Sequence, residues 1–269
     1  MTADPTNATL VERQDLNELL SIVRVRPDTG RVPEFTPGQF ITLGLPRELP
    51  PEVPAARPKR PGRIPLIKRA YSIASTPRET ESYEVFVVLV ADGKLTPALW
   101  TLNHGGRVWM DDQAKGEFTL AGVPPDKDLV MVSTGTGVAP FLSMLRAYRG
   151  TGHWRRLVMI NGVRHVSDLG YRAELEAACR ADPTIRYIPI VSREPAPAAW
   201  HGLRGHVQAV LDDAVYEKHV GAPLDPAECH VFLCGNPAMI DDVERLLQQR
   251  GFTTHARQTP GNLHLERYW

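Results

Sequence analysis

Leu129-Val130-Met131-Val132-Ser133-Thr134-Gly135-Thr136-Gly137-Val138-Ala139-Pro140 is the stretch on which the fold turns. The run from Leu129 to Ser133 has the length and the unbroken apolar character of a strand buried on both faces, and glycine ends it. Beyond the glycines, Val138, Phe141, Leu142 and Leu145 recur at helical spacing, which predicts an amphipathic helix. The pattern repeats downstream. Apolar runs at Leu157 to Val163, Ile185 to Val191 and His230 to Cys234 alternate with predicted helices over Tyr171 to Ala181 and Val207 to Val215. Pro237 opens the last long helix, because proline suits a first helical turn. Strands alternating with helices predict an α/β domain with a parallel, doubly wound sheet.

Toward the N-terminus the character changes at Val123-Pro124-Pro125-Asp126. Before it, Leu19 to Val25, Gln39 to Leu45, Arg69 to Ala74, Tyr83 to Val90 and Arg107 to Met110 are rich in Val, Ile, Leu and Tyr. Pro, Gly or Asp separates them. Short strands at this spacing predict a closed or nearly closed antiparallel β-barrel. The expectation is two domains, residues 1–124 and 125–269, which suits a chain of 269 residues. Pro46 to Lys68 stands apart: it is proline-rich, and its cations Arg47, Arg57, Lys59, Arg60, Arg63 and Lys68 face only Glu48 and Glu52. That composition predicts an extended loop.

Lysine plus arginine (31) equals aspartate plus glutamate (31), so no net field draws the chain to nucleic acid or a membrane surface. The three cysteines, Cys179, Cys229 and Cys234, show neither a C-x-x-C pattern nor the four thiolates that an iron-sulfur cluster wants. They also give no disulfide framework, which favours a reducing compartment. The first twenty residues mix acids and Arg13 with scattered apolar positions, without an apolar signal core. Val85 to Ala91, the longest apolar run, is too short to span a bilayer. A cytoplasmic protein without membrane insertion is expected. The histidines show no ligand spacing and read as surface or packing residues.

Several residues suit nucleotide chemistry. Arg69 and Tyr71 alternate with Ala70 and Ser72, so guanidinium and phenol point to one side of a strand. The first can grip phosphate and the second can cover a flat heteroaromatic; alone, the pair also fits an ordinary edge strand. Gly93-Lys94-Leu95-Thr96 lies between the strand at Tyr83 to Val90 and a predicted helix over Ala98 to Leu102. It offers backbone N–H groups to a pyrophosphate, or is a plain turn with Thr96 as N-cap. Gly135-Thr136-Gly137 at the carboxyl end of a parallel strand suits a second phosphate-bearing ligand, although Pro140 replaces the third glycine of G-x-G-x-x-G. Ser192, Arg193 and Arg164 stand at strand ends where a ribose phosphate would lie. Cys234, before Gly235-Asn236-Pro237, ends another strand at the same edge; a buried thiol there is a small hydrophobe or a neighbour of the reacting ring.

Taken together, these residues resemble the ferredoxin/flavodoxin-NADP reductase family over nearly the whole chain. Arg69 to Ser72 resembles its R-x-Y-S, Gly135 to Pro140 its nucleotide turn, and Cys234, Gly235, Pro237 and Met239 its C-G-x-P-x-M. The ending Glu266-Arg267-Tyr268-Trp269 resembles the bacterial branch. The resemblance implies an FAD-binding barrel followed by an NADP-binding α/β domain, with ferredoxin or flavodoxin as partner to a monomeric enzyme. It gives Arg69 the flavin phosphates, Tyr71 one flavin face, Ser72 a bond near the flavin N5, and Gly93 to Thr96 the pyrophosphate. Ala70 and Thr136 would lie nearby. Tyr268 would cover the opposite flavin face, Trp269 would approach the adenine, and Cys234 and Glu266 would flank hydride transfer. Gly135, Gly137, Arg164, Ser192, Arg193, Gly235, Asn236 and Met239 would serve NADP. Bacterial relatives often carry a Gly-Arg pair after S-R-E; here His206 follows Gly205 and Arg204 precedes it. The same two domains also suit the reductase component of an oxygenase, and a non-catalytic flavin-binding regulator would need only the first.

Overall fold

A computed structural model describes residues 4–47, 64–195 and 200–267. The chain forms two compact units that divide between Glu117 and Phe118. Phe118 belongs to the second because its ring packs on Phe141 and Phe232, at 5.9 and 5.4 Å between centroids.

The first unit contains β1 (Ala8–Asp15), β2 (Leu20–Pro27), β3 (Phe40–Pro46), β4 (Leu66–Ser72), β5 (Tyr83–Val88), a short helix α1 (Thr96–Trp100) and β6 (Arg107–Met110). Its strands run in the order β4-β3-β6-β1-β2-β5, each pair antiparallel. An antiparallel bridge between Ile73 and Val85 joins the two ends, closing the sheet into the barrel that the strand spacing predicts. Closure removes the exposed edges an open sheet would present. Inside lie Leu10, Val23, Val25, Ile41, Leu43, Ile73, Tyr83 and Val85, all essentially inaccessible. Arg24 reaches the buried Glu84 carboxylate at 2.6 Å.

β1 escapes the sequence reading. Its alternation breaks where the pairing with β2 shifts between Leu10 and Glu12, and this irregularity puts charged residues in phase with apolar ones. α1 begins at Thr96 rather than Ala98, and its N-cap is Leu95. Thr96 is therefore no cap. Its hydroxyl accepts from Val90 N at 3.0 Å and donates to Val90 O at 3.2 Å, closing the preceding turn.

The second unit runs β7 (Asp128–Thr134), α2 (Ala139–Tyr148), β8 (Arg156–Val163), α3 (Arg172–Ala181), β9 (Ile185–Val191), β10 (Leu203–Arg204), α4 (Asp213–Val220), β11 (Cys229–Gly235), α5 (Pro237–Gln249) and β12 (Leu263–Arg267). All pairs are parallel, in the order β10-β9-β8-β7-β11-β12. The order reverses between β7 and β11, which is the switch point where ligands bind in sheets of this kind. Under the sheet, α4 and α5 contribute Tyr216, Ile240, Val243 and Leu247 to a core shared with Val130, Val158, Val231 and Leu233. At the opposite strand ends, Asp128 is almost inaccessible and accepts from Arg155 at 2.8 Å and Arg156 at 3.1 Å.

Two helix expectations change. α2 is not amphipathic: every residue from Ala139 to Leu145 is buried, because both sides of its first two turns are covered. The segment expected as one helix over Val207 to Val215 is a 3-10 stretch, Val207–Leu211, followed by α4. Asp212 causes the break, since its carboxylate caps Ala214 N and Val215 N and so starts a new helix.

Candidate functional site

In the barrel, register with β3 sets Arg69 opposite Leu43 and Tyr71 opposite Ile41, so guanidinium and phenol share a face of β4. Tyr71 packs against the core. Its hydroxyl is buried with no hydrogen-bond partner among the described residues, and burial pushes the phenol up to about 12 although Arg69 pulls the other way. An orphaned buried hydroxyl costs about 1–3 kcal/mol, which a ligand that hydrogen-bonds it would recover. Arg69 is exposed and spends one N–H on the Lys68 carbonyl at 2.8 Å. Ala70 is exposed beside it, and Ser72 is buried. An exposed guanidinium next to a recessed ring with an unpaired hydroxyl fits a phosphate-bearing aromatic ligand such as FAD.

The turn after β5 is tight. Gly93 N donates to Val90 O at 2.8 Å, and a Cβ at Gly93 would lie 2.8 Å from that same oxygen, so only glycine fits. Lys94 is exposed, whereas Leu95 is buried in the core. Of Gly93, Lys94, Leu95 and Thr96, the backbone and the lysine are thus the parts a ligand can reach.

At the switch point of the second unit two strand ends interlock. Gly135 opens a 3-10 turn, Gly135–Val138, in the left-handed region (φ 54°). Gly137 lies directly against the Cys234 peptide, where a Cβ would come within 2.7 Å of the Cys234 carbonyl carbon and nearer still to its oxygen. Thr136, between them, is half-buried. From the other side Gly235 (φ 140°) presses on Thr134, whose hydroxyl accepts from Asn236 N at 3.0 Å. The Asn236 side chain caps α5 through Ala238 N at 2.8 Å, and Met239 is buried beneath. Asn236 therefore offers its backbone, and Met239 its packing.

β12 is another element the sequence reading misses, since only Leu263 and Leu265 mark it before two charged residues. Its parallel register with β11 sets Glu266 opposite Cys234. The buried thiol donates to the carboxylate, Sγ to Oε2, at 3.7 Å. One strand pair away, Ser192 donates from its N and Oγ to the Val163 carbonyl at 3.0 and 3.3 Å, and Arg193 N donates to Arg164 O at 2.8 Å. The Arg164 and Arg193 side chains are exposed and have neither an ion pair nor a hydrogen bond among the described residues. Arg204, on β10, donates to the Glu194 carbonyl at 2.7 Å. Three arginines thus stand at the carboxyl ends of β8, β9 and β10, a placement that suits a phosphomonoester.

Residues 131–245 match the model of the oxidoreductase NAD-binding domain. The flavodoxin/ferredoxin-NADP reductase of Escherichia coli (strain K12) is 35% identical over 239 residues, covering 87% of this chain and 88% of the relative. That of Buchnera aphidicola subsp. Baizongia pistaciae is 32% identical over 255 residues, 94% of each chain. The chain belongs to the ferredoxin/flavodoxin-NADP reductase family. Among solved structures, a ferredoxin NADP+ reductase from Neisseria gonorrhoeae with bound FAD and NADP superposes with a TM-score of 0.81 at 26% identity, over 97% of this chain and 98% of that one. In this reductase-family chain, Tyr268 and Trp269 lie outside the described residues, as do Lys59, Arg60 and Arg63 of the proline-rich loop. Among the described residues no group of three or more His, Cys, Asp or Glu side chains could hold a metal, and no helix is long and apolar enough to cross a membrane.

Proposed function

We propose that this chain is an FAD-dependent ferredoxin/flavodoxin-NADP(+) reductase that transfers a hydride between NADP(H) and the flavin N5, coupled to one-electron exchange with ferredoxin or flavodoxin. The observation that carries the reading is the Cys234–Glu266 pair at the switch point of the sheet, in a chain of this family. FAD, when bound, supplies a ring that takes two electrons from a nicotinamide and releases them singly.

The residues of this chain bind and orient. Arg69 neutralises flavin phosphate, Tyr71 gives its orphaned hydroxyl a partner on the flavin nucleotide, and Ser72 borders the ring. The backbone from Gly93 to Thr96 receives the pyrophosphate. In the α/β unit Gly135 to Gly137 receive the dinucleotide, while Arg164, Ser192, Arg193 and Arg204 hold its 2′-phosphate, favouring NADP over NAD. Cys234 and Glu266 border the nicotinamide, and Glu266 holds a proton acceptor there. By resemblance to the family, Tyr268 would cover the opposite flavin face and Trp269 would approach the adenine of FAD. The enzyme acts as a cytoplasmic monomer, with the barrel unit assigned to FAD and the α/β unit to NADP(H).

Purified protein should show a flavin absorbance spectrum and reduce a dye, then ferredoxin or flavodoxin, with NADPH in preference to NADH. Replacing Arg164 and Arg193 by alanine should raise KM for NADPH roughly tenfold each and leave KM for NADH unchanged, since one charge-assisted contact is worth about 1.5 kcal/mol. Equal effects on both nucleotides would overturn the assignment of the 2′-phosphate.

A further inference from the structure

The face of β11 and β12 that carries Cys234 and Glu266 also carries a stack of imidazoles. Side chains two apart share a face, so His230, Phe232 and Cys234 align on β11, and His264 and Glu266 on β12. Register pairs Phe232 with His264 one rung below Cys234 and Glu266. The His264 ring lies 4.2 Å from Phe232 with 7° between planes, and 4.7 Å from His255 with 29°. His230 Nδ1 meets His264 Nε2 at 3.2 Å, a bond that needs one nitrogen protonated and the other bare. His264 is 8% exposed, His230 half-buried and His255 exposed.

β12 ends the sheet, and among the described residues only Leu263 is bridged on the side away from β11: Leu263 N donates to Thr253 O at 3.0 Å and His255 N donates to Leu263 O at 2.7 Å. On its other face Leu263 and Leu265 pack against the core, and Arg267 binds Asp241 at 2.9 Å and Glu244 at 2.8 Å on α5. Glu244 also accepts from Thr254, next to His255. On the Glu266 face the imidazoles pack alongside the Cys234–Glu266 contact. The charged groups turned toward them are Lys127 at the entry to β7, paired with Glu228 at 3.5 Å, and Glu266 one rung away. Among the described residues no carboxylate bonds any of the three rings. A first proton would place a buried cation beside Lys127, and a second would set two N–H donors against each other.

We propose that the His230–His255–His264 stack is a positioning clamp for Glu266: neutral, it holds the Glu266 face of β12 against β11, and protonation opens that face in acid. This rests on the reading of Glu266 as a group of the hydride-transfer site. Burial lowers both His264 and His230, as the clamp requires. The coupling is quantitative: below an unfolded pKa of about 6.5, each histidine that charges only when the clamp opens raises the open population tenfold per pH unit.

Hydrogen exchange on the FAD-loaded full chain reads this directly. Protection factors of the β12 amides, corrected for intrinsic rates, should fall about tenfold per unit from about pH 6 to about pH 4 in the wild type. His264→Phe, which keeps the stacked ring, and His264→Gln, which keeps a bond to His230, should each remove from this fall the tenfold per unit that His264 contributes. A parallel fall in both variants overturns the clamp. NADPH–dye activity should decline over the same range in the wild type and at lower pH in the variants. Coincident activity profiles despite different protection would overturn the positioning role. Absence of NADPH turnover near neutral pH would instead sink the functional reading, and exchange would still decide the clamp.

Discussion

Gly137→Ala tests whether the interlock at the switch point sets the site geometry. The added methyl would come within 2.7 Å of the Cys234 carbonyl carbon and 3.0 Å of Gly235 Cα. Carbon atoms rest at about 3.5 Å or more, so the two strand ends must separate by roughly 1 Å. Both neighbours are backbone, so no side-chain rotation absorbs the clash. Overpacking of this kind costs about 1–3 kcal/mol. The larger effect is on chemistry: the displaced peptide carries the thiol that binds Glu266, and a shift of about 1 Å at such a site costs about 100-fold in rate. Gly221→Ala is the control. It caps α4 with φ 79° and nothing within 4 Å of its Cβ position, so it should lose about 1–2 kcal/mol and no activity. Thermal unfolding and kcat/KM for NADPH with a dye acceptor measure the two effects. If Gly137→Ala melts like Gly221→Ala and keeps comparable kcat/KM, the contact does not hold the site.

Arg24→Met removes the 2.6 Å cationic partner of the buried Glu84 carboxylate and should cost about 3 kcal/mol in urea unfolding, far more than loss of an exposed pair would. Tyr71→Phe should act with opposite signs: FAD-free protein gains about 1 kcal/mol because a buried unpaired hydroxyl disappears, while FAD affinity measured by fluorescence quenching falls several-fold. Stability should also fall in acid. His264 binds its proton near 6.5 when unfolded but at about 3 when folded, so below pH 6.5 the unfolded state holds more protons. The loss between pH 7 and pH 5 is about 2 kcal/mol from this group, read by denaturant titration at the two pH values and removed by His264→Phe.

What the chain reveals without coordinates follows from how local each signal is. β7, β8 and β11 are buried on both faces along nearly their whole length, so hydrophobicity alone marks them. β6 and β9 appear with the bounds expected. β1 and β12 depend on partners far away in sequence. Ala-Thr-Leu-Val-Glu-Arg-Gln-Asp becomes a strand because β2 and β6 flank it, and the shift at Leu10 scrambles the period that would have marked it. The break at Asp212 was legible, since an aspartate before Asp213-Ala214-Val215 is an N-cap signal; apolar Val207, Val210 and Leu211 masked it.

The site divides in the same way. Glycine positions are local, so Gly93, Gly135, Gly137 and Gly235 stand out at once, but their reasons differ. Gly135 and Gly235 need a positive φ, whereas Gly137 is glycine because two strand ends meet there, a fact no window of sequence contains. The Cys234–Glu266 contact is more remote still. It exists only because β12 pairs with β11 in one register, and a slip of one residue would set Glu266 opposite Leu233 or Gly235 and turn it to the other face. That register is held below by Phe232 on His264 and above by Arg267 on α5. The hydride-transfer chemistry assigned to Cys234 and Glu266 therefore depends on residues that carry none of it. Phe232→Ala, His264→Ala or Arg267→Ala should consequently lower kcat more than it raises KM, because each moves Glu266 while leaving the guanidinium groups proposed to bind the nucleotide in place.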